Sequence, residues 1–394
     1  MGYGKATPLT APPLSLYVHI PWCVRKCPYC DFNSHAQNDA LPVDAYIDAL
    51  LVDLERDLAS FAPALHKRAL ISVFFGGGTP SLFGPDAIAR ILDGVAARMS
   101  IETDAEITLE TNPGTVEHGR FDGYRRAGVN RISFGVQSFD DDKLRRLGRI
   151  HSVVEAENAI RDAQQAGYDN INLDLMYALP KQSLEQALAD VDRAIALAPA
   201  HLSHYQLTLE PNTLFAARPP PLPDEDAAWD MQEHCQQRIA AAGYARYEVS
   251  AWASDKRECL HNVNYWTFGD YLGVGAGAHG KISDTARAAI FRTTKVKLPR
   301  GYLARAARRA DFGNCAAVAA DQLPFEFMLN ALRLGRGVSL ADFTQRTGLP
   351  LSTIAAPLAD ACARGWLHEK FDRLQPTALG QRFLNDLIGL FLPA

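Results

Sequence analysis

The sequence predicts an α/β fold: an open, partial (β/α)6 TIM-like barrel followed by a small winged-helix-like α+β module. Three observations carry this reading. Six short apolar runs alternate with amphipathic helical stretches along the first half of the 394-residue chain. Six such units are fewer than the eight of a closed barrel. From Phe325 onward the pattern changes to helices followed by two short strand-like pieces.

The expected strands are Leu16 to Ile20, Ile71 to Phe75, Glu106 to Glu110, Arg131 to Val136, Ile171 to Met176 and His204 to Leu209. Each is short, rich in Val, Ile, Leu or Phe, and bounded by Gly, Pro or Asn. Between them Val43 to Leu58, Pro85 to Met99, Ser152 to Ala166 and Ser183 to Leu197 read as amphipathic helices. Strands alternating with helices imply parallel strands with covering helices. Arg218 to Pro223, with four prolines, must be a loop. Asp224-Glu225-Asp226 then supplies the acids that a helix N-terminus favours. Gly269 to Gly280 reads as a turn-laden loop, and the basic residues from Lys295 to Arg309 as a solvated helix face. In the C-terminal part, helices are expected over Phe325 to Leu334, Ser339 to Thr347, Ser352 to Arg364 and from Thr377. Strand pieces fall at Trp366 to Phe371 and Leu374 to Gln375. The expected division is a flexible leader 1–14, a core 15–250, a connecting region 251–320 and the module 321–394.

Composition narrows the function. Apolar residues make up 47% and charged residues 22%, which excludes a disordered or disulfide-scaffold chain. Forty Lys and Arg against 45 Asp and Glu leave a net charge of −5, without the basic excess of a nucleic-acid binder. The C-terminal module has seven of each sign and reads as a packing or partner module rather than a DNA reader. No run of about 18 apolar residues offers a membrane span. Met1 to Pro13 lacks an apolar signal region, so a cytoplasmic location is expected.

The seven cysteines are odd in number and four are scattered, unlike a disulfide framework. Cys23, Cys27 and Cys30 instead form a CxxxCxxC loop directly after the first strand. Three readings stand side by side. The thiols are unrelated; or they bind zinc, with His35 as a fourth ligand; or they hold a [4Fe–4S] cluster. Clusters usually take four thiolates, so three leave one iron open to a small molecule. The second strand ends in Phe74-Phe75-Gly76-Gly77-Gly78-Thr79-Pro80, a glycine run that lets a backbone approach a ligand closely.

The cysteine loop, with Tyr29 before its last cysteine, resembles that of the radical S-adenosylmethionine (SAM) enzymes. The glycine run is similar to that superfamily's GGGTP element. Ser15 to Cys23, Leu109 to Pro113, Arg131 to Ser138 and Asn172 to Met176 occur in order with them. Together they resemble the group of oxygen-independent coproporphyrinogen III oxidase and its relatives, over essentially the whole chain. The resemblance implies a [4Fe–4S] cluster on the three cysteines, with SAM chelating the open iron. It places SAM contacts on Tyr17, Tyr29, Gly77, Gly78, Thr79, Glu110, Gln137, Arg149 and Asp174, and more loosely on Thr208. Radical chemistry would belong to the cofactor, and placement to the protein. Alone, Glu110 reads as a surface acid or helix cap and Arg149 as a solvated charge. Asp174, inside the apolar run Ile171 to Met176, needs a partner if buried.

Within the group, the oxidase pattern carries a fourth cysteine where this chain has Phe32, and a longer N-terminal segment. Both departures match the HemW-type haem chaperone branch. His261-Asn262-Val263-Asn264-Tyr265-Trp266 resembles that branch's HNxxYW motif. His261 is then the expected haem ligand, with Tyr265 and Trp266 stacking on the macrocycle. The same residues also read as a loop histidine with core aromatics. Cys259 is an alternative ligand. The c-type CxxCH attachment signature is absent. The expected partners are haem, a haem-acceptor protein and an electron donor. A catalytic decarboxylase of a porphyrinogen is the alternative.

Overall fold

The computed structural model describes residues 8–37, 39–114, 120–254, 256–369 and 372–393. Six strands run parallel in chain order: β1 Leu14–Ile20, β2 Ala69–Gly77, β3 Ser100–Thr111, β4 Arg131–Gln137, β5 Ile171–Tyr177 and β6 His201–Gln206. Helices Val43–Ser60, Pro85–Ala96, Val153–Gln165 and Leu184–Ala196 lie close to their expected spans. Ser152 and Ser183 close capping boxes with Glu155 and Gln186, which fixes where the last two begin. Two short helices that the periodicity did not announce, Phe121–Arg126 and Asp141–Arg146, flank β4.

Strand alternation sorts the side chains. Leu14, Leu16, Val18 and Ile20 of β1 join the main apolar core beneath the helices. So do Val73 and Phe75 of β2, Ile132, Phe134 and Val136 of β4, and Leu173 and Leu175 of β5. The intervening positions, among them Tyr17, Glu110, Ser133, Asp174 and Ser203, face the opposite side of the sheet. This inward face is polar, and it carries the site.

The last parallel strand lies three residues before its expected position. His201 and Ser203 sit on its inward face, both hydrogen-bonded to the Asn172 side chain. A strand with polar inward positions escapes a search for apolar runs. The segment 251–320 is more than a connection. It contributes β8 Ala251–Ala253, β9 Asp270–Val274, β10 His279–Asp284, β11 Ala289–Lys295 and β12 Gly313–Ala317, after β7 Ala245–Arg246. β9 pairs in parallel with β1, and β10 to β12 extend that edge antiparallel. β8 and β7 close the β6 edge. The result is one open twelve-stranded sheet.

The expected loop Gly269 to Gly280 therefore contains one strand, β9, and the start of a second, β10. Its glycines are needed because backbones pack there: a Cβ on Gly273 would lie 1.8 Å from the His279 carbonyl oxygen. Lys295 also departs from its expected solvated face. It is buried between Asp53 and Asp57, at 2.6 and 2.7 Å. Only Pro299–Ala307 of that basic stretch is helical.

In the C-terminal part, helix Leu323–Ala331 comes first, and helices Leu340–Thr347 and Ala355–Ala363 lie between the two strands of an antiparallel pair, Val338–Ser339 with Arg373–Leu374. Phe371, at the end of an expected strand piece, lies outside the described residues, as does 1–7 of the expected leader. Within the rest of that leader, the Thr10 amide donates to the Gln345 carbonyl at 2.8 Å. Among the described residues no helix is long and apolar enough to cross a membrane.

Candidate functional site

The C-terminal ends of the parallel strands open into a cavity of about 480 Å³. Cys23, Cys27 and Cys30 lie on its wall together with Tyr29, Gly77, Gly78, Thr79, Glu110, Gln137, Arg149, Asp174 and Thr208. Residues from 23 to 208 thus converge because each follows or ends a neighbouring parallel strand.

The cysteine loop is held from several sides. The Cys30 amide donates to the Cys27 carbonyl at 3.2 Å. Lys26 Nζ donates to the carbonyls of Phe32 and Ser34, at 3.0 and 3.3 Å. Arg149 reaches the loop across the barrel. Its guanidinium lies 3.8 Å from Cys27 Sγ and also donates to Asn112 Oδ1 and the Gly135 carbonyl, at 2.5 and 2.6 Å. Burial pushes the Cys23 and Cys30 thiols above their usual pKa. His35, the fourth ligand of the zinc reading, is on a strand paired with Trp22 and does not line this cavity. Among the described residues no three His, Cys, Asp or Glu side chains group tightly enough to share one metal ion. A cubane cluster distributes its thiolates over separate irons, and three thiols from one loop on a cavity wall fit it.

The glycine run is required before any ligand arrives. A Cβ on Gly78 would lie 2.4 Å from the Trp22 carbonyl oxygen. On Gly77, at φ +116°, it would lie 2.6 Å from the His19 ring. A side chain at Gly77 would therefore displace His19 as well as narrow the cavity that this glycine lines.

Two carboxyls face the cavity without a cationic partner. Glu110 accepts a hydrogen bond from the Gly77 amide at 3.2 Å. Burial, and next the nearby Asp174, pushes its pKa up to about 8. Asp174 accepts from Asn172 Nδ2 at 2.8 Å, and burial raises its pKa as well. Neither forms an ion pair with a described residue. Two desolvated acids beside three thiols suit a ligand bringing positive charge and hydrogen-bond donors. SAM, with its ammonium and sulfonium groups, has that chemistry, and the three thiols fit a [4Fe–4S] cluster. Gln137, at φ +73°, ends β4 and accepts from the Tyr205 hydroxyl at 2.9 Å. A non-glycine residue held at positive φ is a strained conformation of the kind that collects at functional sites.

Asn112, Ser203 and Tyr205 also line the cavity and were not singled out from the sequence. Asn112 stood within the Leu109 to Pro113 motif. Ser203 was hidden by the misplaced last strand.

Three expected residues are elsewhere. Tyr17 lines a second cavity, of about 390 Å³, that shares Asp31, Phe32, Gly77 and Glu110 with the first. His261 reaches neither cavity. It is 2% exposed, its Nδ1 lies 3.0 Å from Ser72 Oγ, and its ring packs 4.9 Å from Phe74 and 4.8 Å from Tyr265. Burial lowers its pKa to about 3, and Nε2 has no hydrogen-bond partner. Cys259 is buried as well and donates to Glu106 Oε1 at 3.3 Å. The expectation that His261 or Cys259 faces a ligand is therefore not met: His261, on the buried face of the short helix Leu260–Trp266, and Cys259, its N-cap, are both buried.

A parallel strand set with three thiols and a glycine turn at its mouth defines a radical SAM-type core. The radical SAM superfamily model matches residues 17–194, and the HemN C-terminal domain model matches 318–383. The coproporphyrinogen III oxidase HemN of Escherichia coli has the same fold, with a TM-score of 0.80 at 24% identity over 98% of this chain and 91% of that one. The heme chaperone HemW of Escherichia coli is 52% identical over 97% of this chain and 98% of its own length. That of Haemophilus influenzae is 50% identical over the same shares. The one from Bacillus subtilis is 32% identical over 96% and 99%. The chain belongs to the HemW heme chaperone family of the radical SAM superfamily.

Proposed function

We propose that this chain carries haem and delivers it to an acceptor protein in the cytoplasm, using a [4Fe–4S] cluster with SAM as a regulatory or electron-transfer centre. The observation that carries the cofactor half is the convergence of Cys23, Cys27 and Cys30 with the buried carboxyls of Glu110 and Asp174, which form no ion pair with a described residue, on one cavity. Those thiols would hold the cluster. Glu110 and Asp174 would meet the positive groups of SAM, and Gln137, Arg149 and Thr208 would complete its surround. When bound, the cluster supplies a low-potential electron. The chain's own contribution is to orient the ligand and keep water from it. The haem half rests on relatives named heme chaperone HemW that match almost end to end. The haem acceptor is a separate protein, an electron donor supplies the cluster, and the module from 321 packs or docks rather than reads DNA.

Anaerobic reconstitution followed by titration with haem tests this reading. One cluster per chain and a saturable Soret change are expected. With reductant, SAM and coproporphyrinogen III, no protoporphyrinogen IX should form. Robust turnover would assign the chain to the decarboxylases instead, and absence of any Soret change would remove the haem half.

A further inference from the structure

The second cavity lies on the other side of the Gly77–Glu110 wall, toward the β9–β10 edge of the sheet. Its lining has a distinct chemistry. Tyr265 and Tyr271 meet edge to face at 4.2 Å between ring centroids, and Tyr17 and the 58% exposed Phe32 complete an aromatic surround. Gly277, where a Cβ would meet Asn33 Nδ2 at 2.3 Å, and Lys297 also line it. Two histidines face it. Both ring nitrogens of His19 are engaged, Nδ1 by the Tyr17 hydroxyl and Nε2 by the Asn33 carbonyl, each at 2.9 Å. His279, at the start of β10, is exposed and lines the cavity, and neither of its ring nitrogens is hydrogen-bonded to a described residue.

We propose that this second cavity seats the haem and that His279 is its iron ligand. The inference rests on the haem reading above and deepens it by assigning the residues. A free imidazole is an ordinary axial ligand for haem iron. Partial burial, with Lys297 and Arg292 nearby, lowers the His279 pKa, so its lone pair is available at neutral pH. Tyrosine and phenylalanine rings suit a flat macrocycle, and the Lys297 ammonium suits a propionate. A cavity of about 390 Å³ falls within the size range of small-molecule and cofactor sites. The HNxxYW motif then has a divided role. Tyr265 forms the wall, and His261, packed perpendicular to it at 4.8 Å, holds that ring in place from behind.

The seat is tied to the cysteine loop. Asn33, three residues past Cys30, donates to the carbonyls of Ala276 and Lys297, both at 2.9 Å. Asn33 therefore joins the β9–β10 turn to the segment that follows the thiols. Phe32, where the oxidase pattern has its fourth cysteine, lines both cavities.

The test is a Soret titration of the cluster-loaded full chain with haem. His279→Ala should shift the Soret band. It should weaken binding by at least the roughly ten- to hundredfold typical of losing an outer-shell partner of a metal ligand. Free imidazole should restore the wild-type band in this variant, a signature that a merely structural role would not give. Tyr265→Leu should weaken binding without moving the band. His234→Ala, at an exposed imidazole bonded to the Asp230 carbonyl, should change nothing. If wild type binds and His279→Ala keeps its band and affinity, or His261→Ala alone moves the band, the seat is elsewhere and this inference falls while the haem reading stands. If wild type gives no saturable Soret change, the haem reading fails first and this inference with it.

Discussion

The two cavities meet at Gly77 and Glu110 yet are built in opposite ways. The first is made by successive strand ends of one parallel sheet, and most of its residues lie in short motifs. The second is closed by β9 and β10, more than 200 residues from β1 in the chain, and held there by side chains such as Asn33, Asp53 and Lys295. Its chemistry depends on docking. The lesson is that motif spacing reports a site when neighbouring strands supply it, and falls silent when a distant hairpin does.

The comparison breaks most sharply at the cysteines. Replacing Cys23, Cys27 or Cys30 by Ser should abolish the reconstituted cluster, read as iron and sulfide per chain, whereas Cys235→Ser should leave it intact. Zinc bound tightly in place of iron and sulfide would overturn this account of the first cavity.

Docking of the second cavity should depend on Lys295. Lys295→Ala leaves Asp53 and Asp57 buried without their cation. Breaking a buried pair of this kind costs about 3–5 kcal/mol, which a denaturant melt will show as a lower midpoint. An unchanged midpoint would mean that β11 is held by apolar packing alone.

Smaller effects separate ligand binding from fold in the first cavity. Asp174→Asn removes a charged acceptor worth about 1.5–3 kcal/mol, or roughly ten- to hundredfold in SAM affinity. Equilibrium binding should record that loss with cluster content unchanged. Equal affinity would remove Asp174 from the site.

The smallest effect is a pH dependence of the cofactor-free chain. The folded-state pKa of Glu110 is raised from 4.5 to about 8, so folding favours its protonated form. That stability is present below the unfolded pKa and is lost as pH rises through about 8. Glu110→Gln keeps an acceptor for the Gly77 amide and lacks the titration. Its unfolding free energy, read from denaturant melts, should gain on wild type between about pH 5 and 8.5, by ~1 kcal/mol or more. Parallel pH profiles would show that Glu110 ionises in the folded state without penalty.

The sequence by itself determined the six-strand order, the capping serines of two helices and the cysteine loop with its glycine turn. These are set locally, by two-residue alternation, by hydrogen bonds three residues apart, and by thiols eight residues from first to last. Only the tertiary structure decided the start of β6, where His201 and Ser203 replace apolar residues because the barrel interior offers them Asn172. It also buried Lys295 between two acids and made strands of a glycine-rich stretch whose partner is β1. Above all it turned His261 into the sheet and left His279 at a cavity, since which face of a short helix is buried depends on what packs against it. Ser72 and Phe74, nearly 190 residues earlier in the chain, supply that surface.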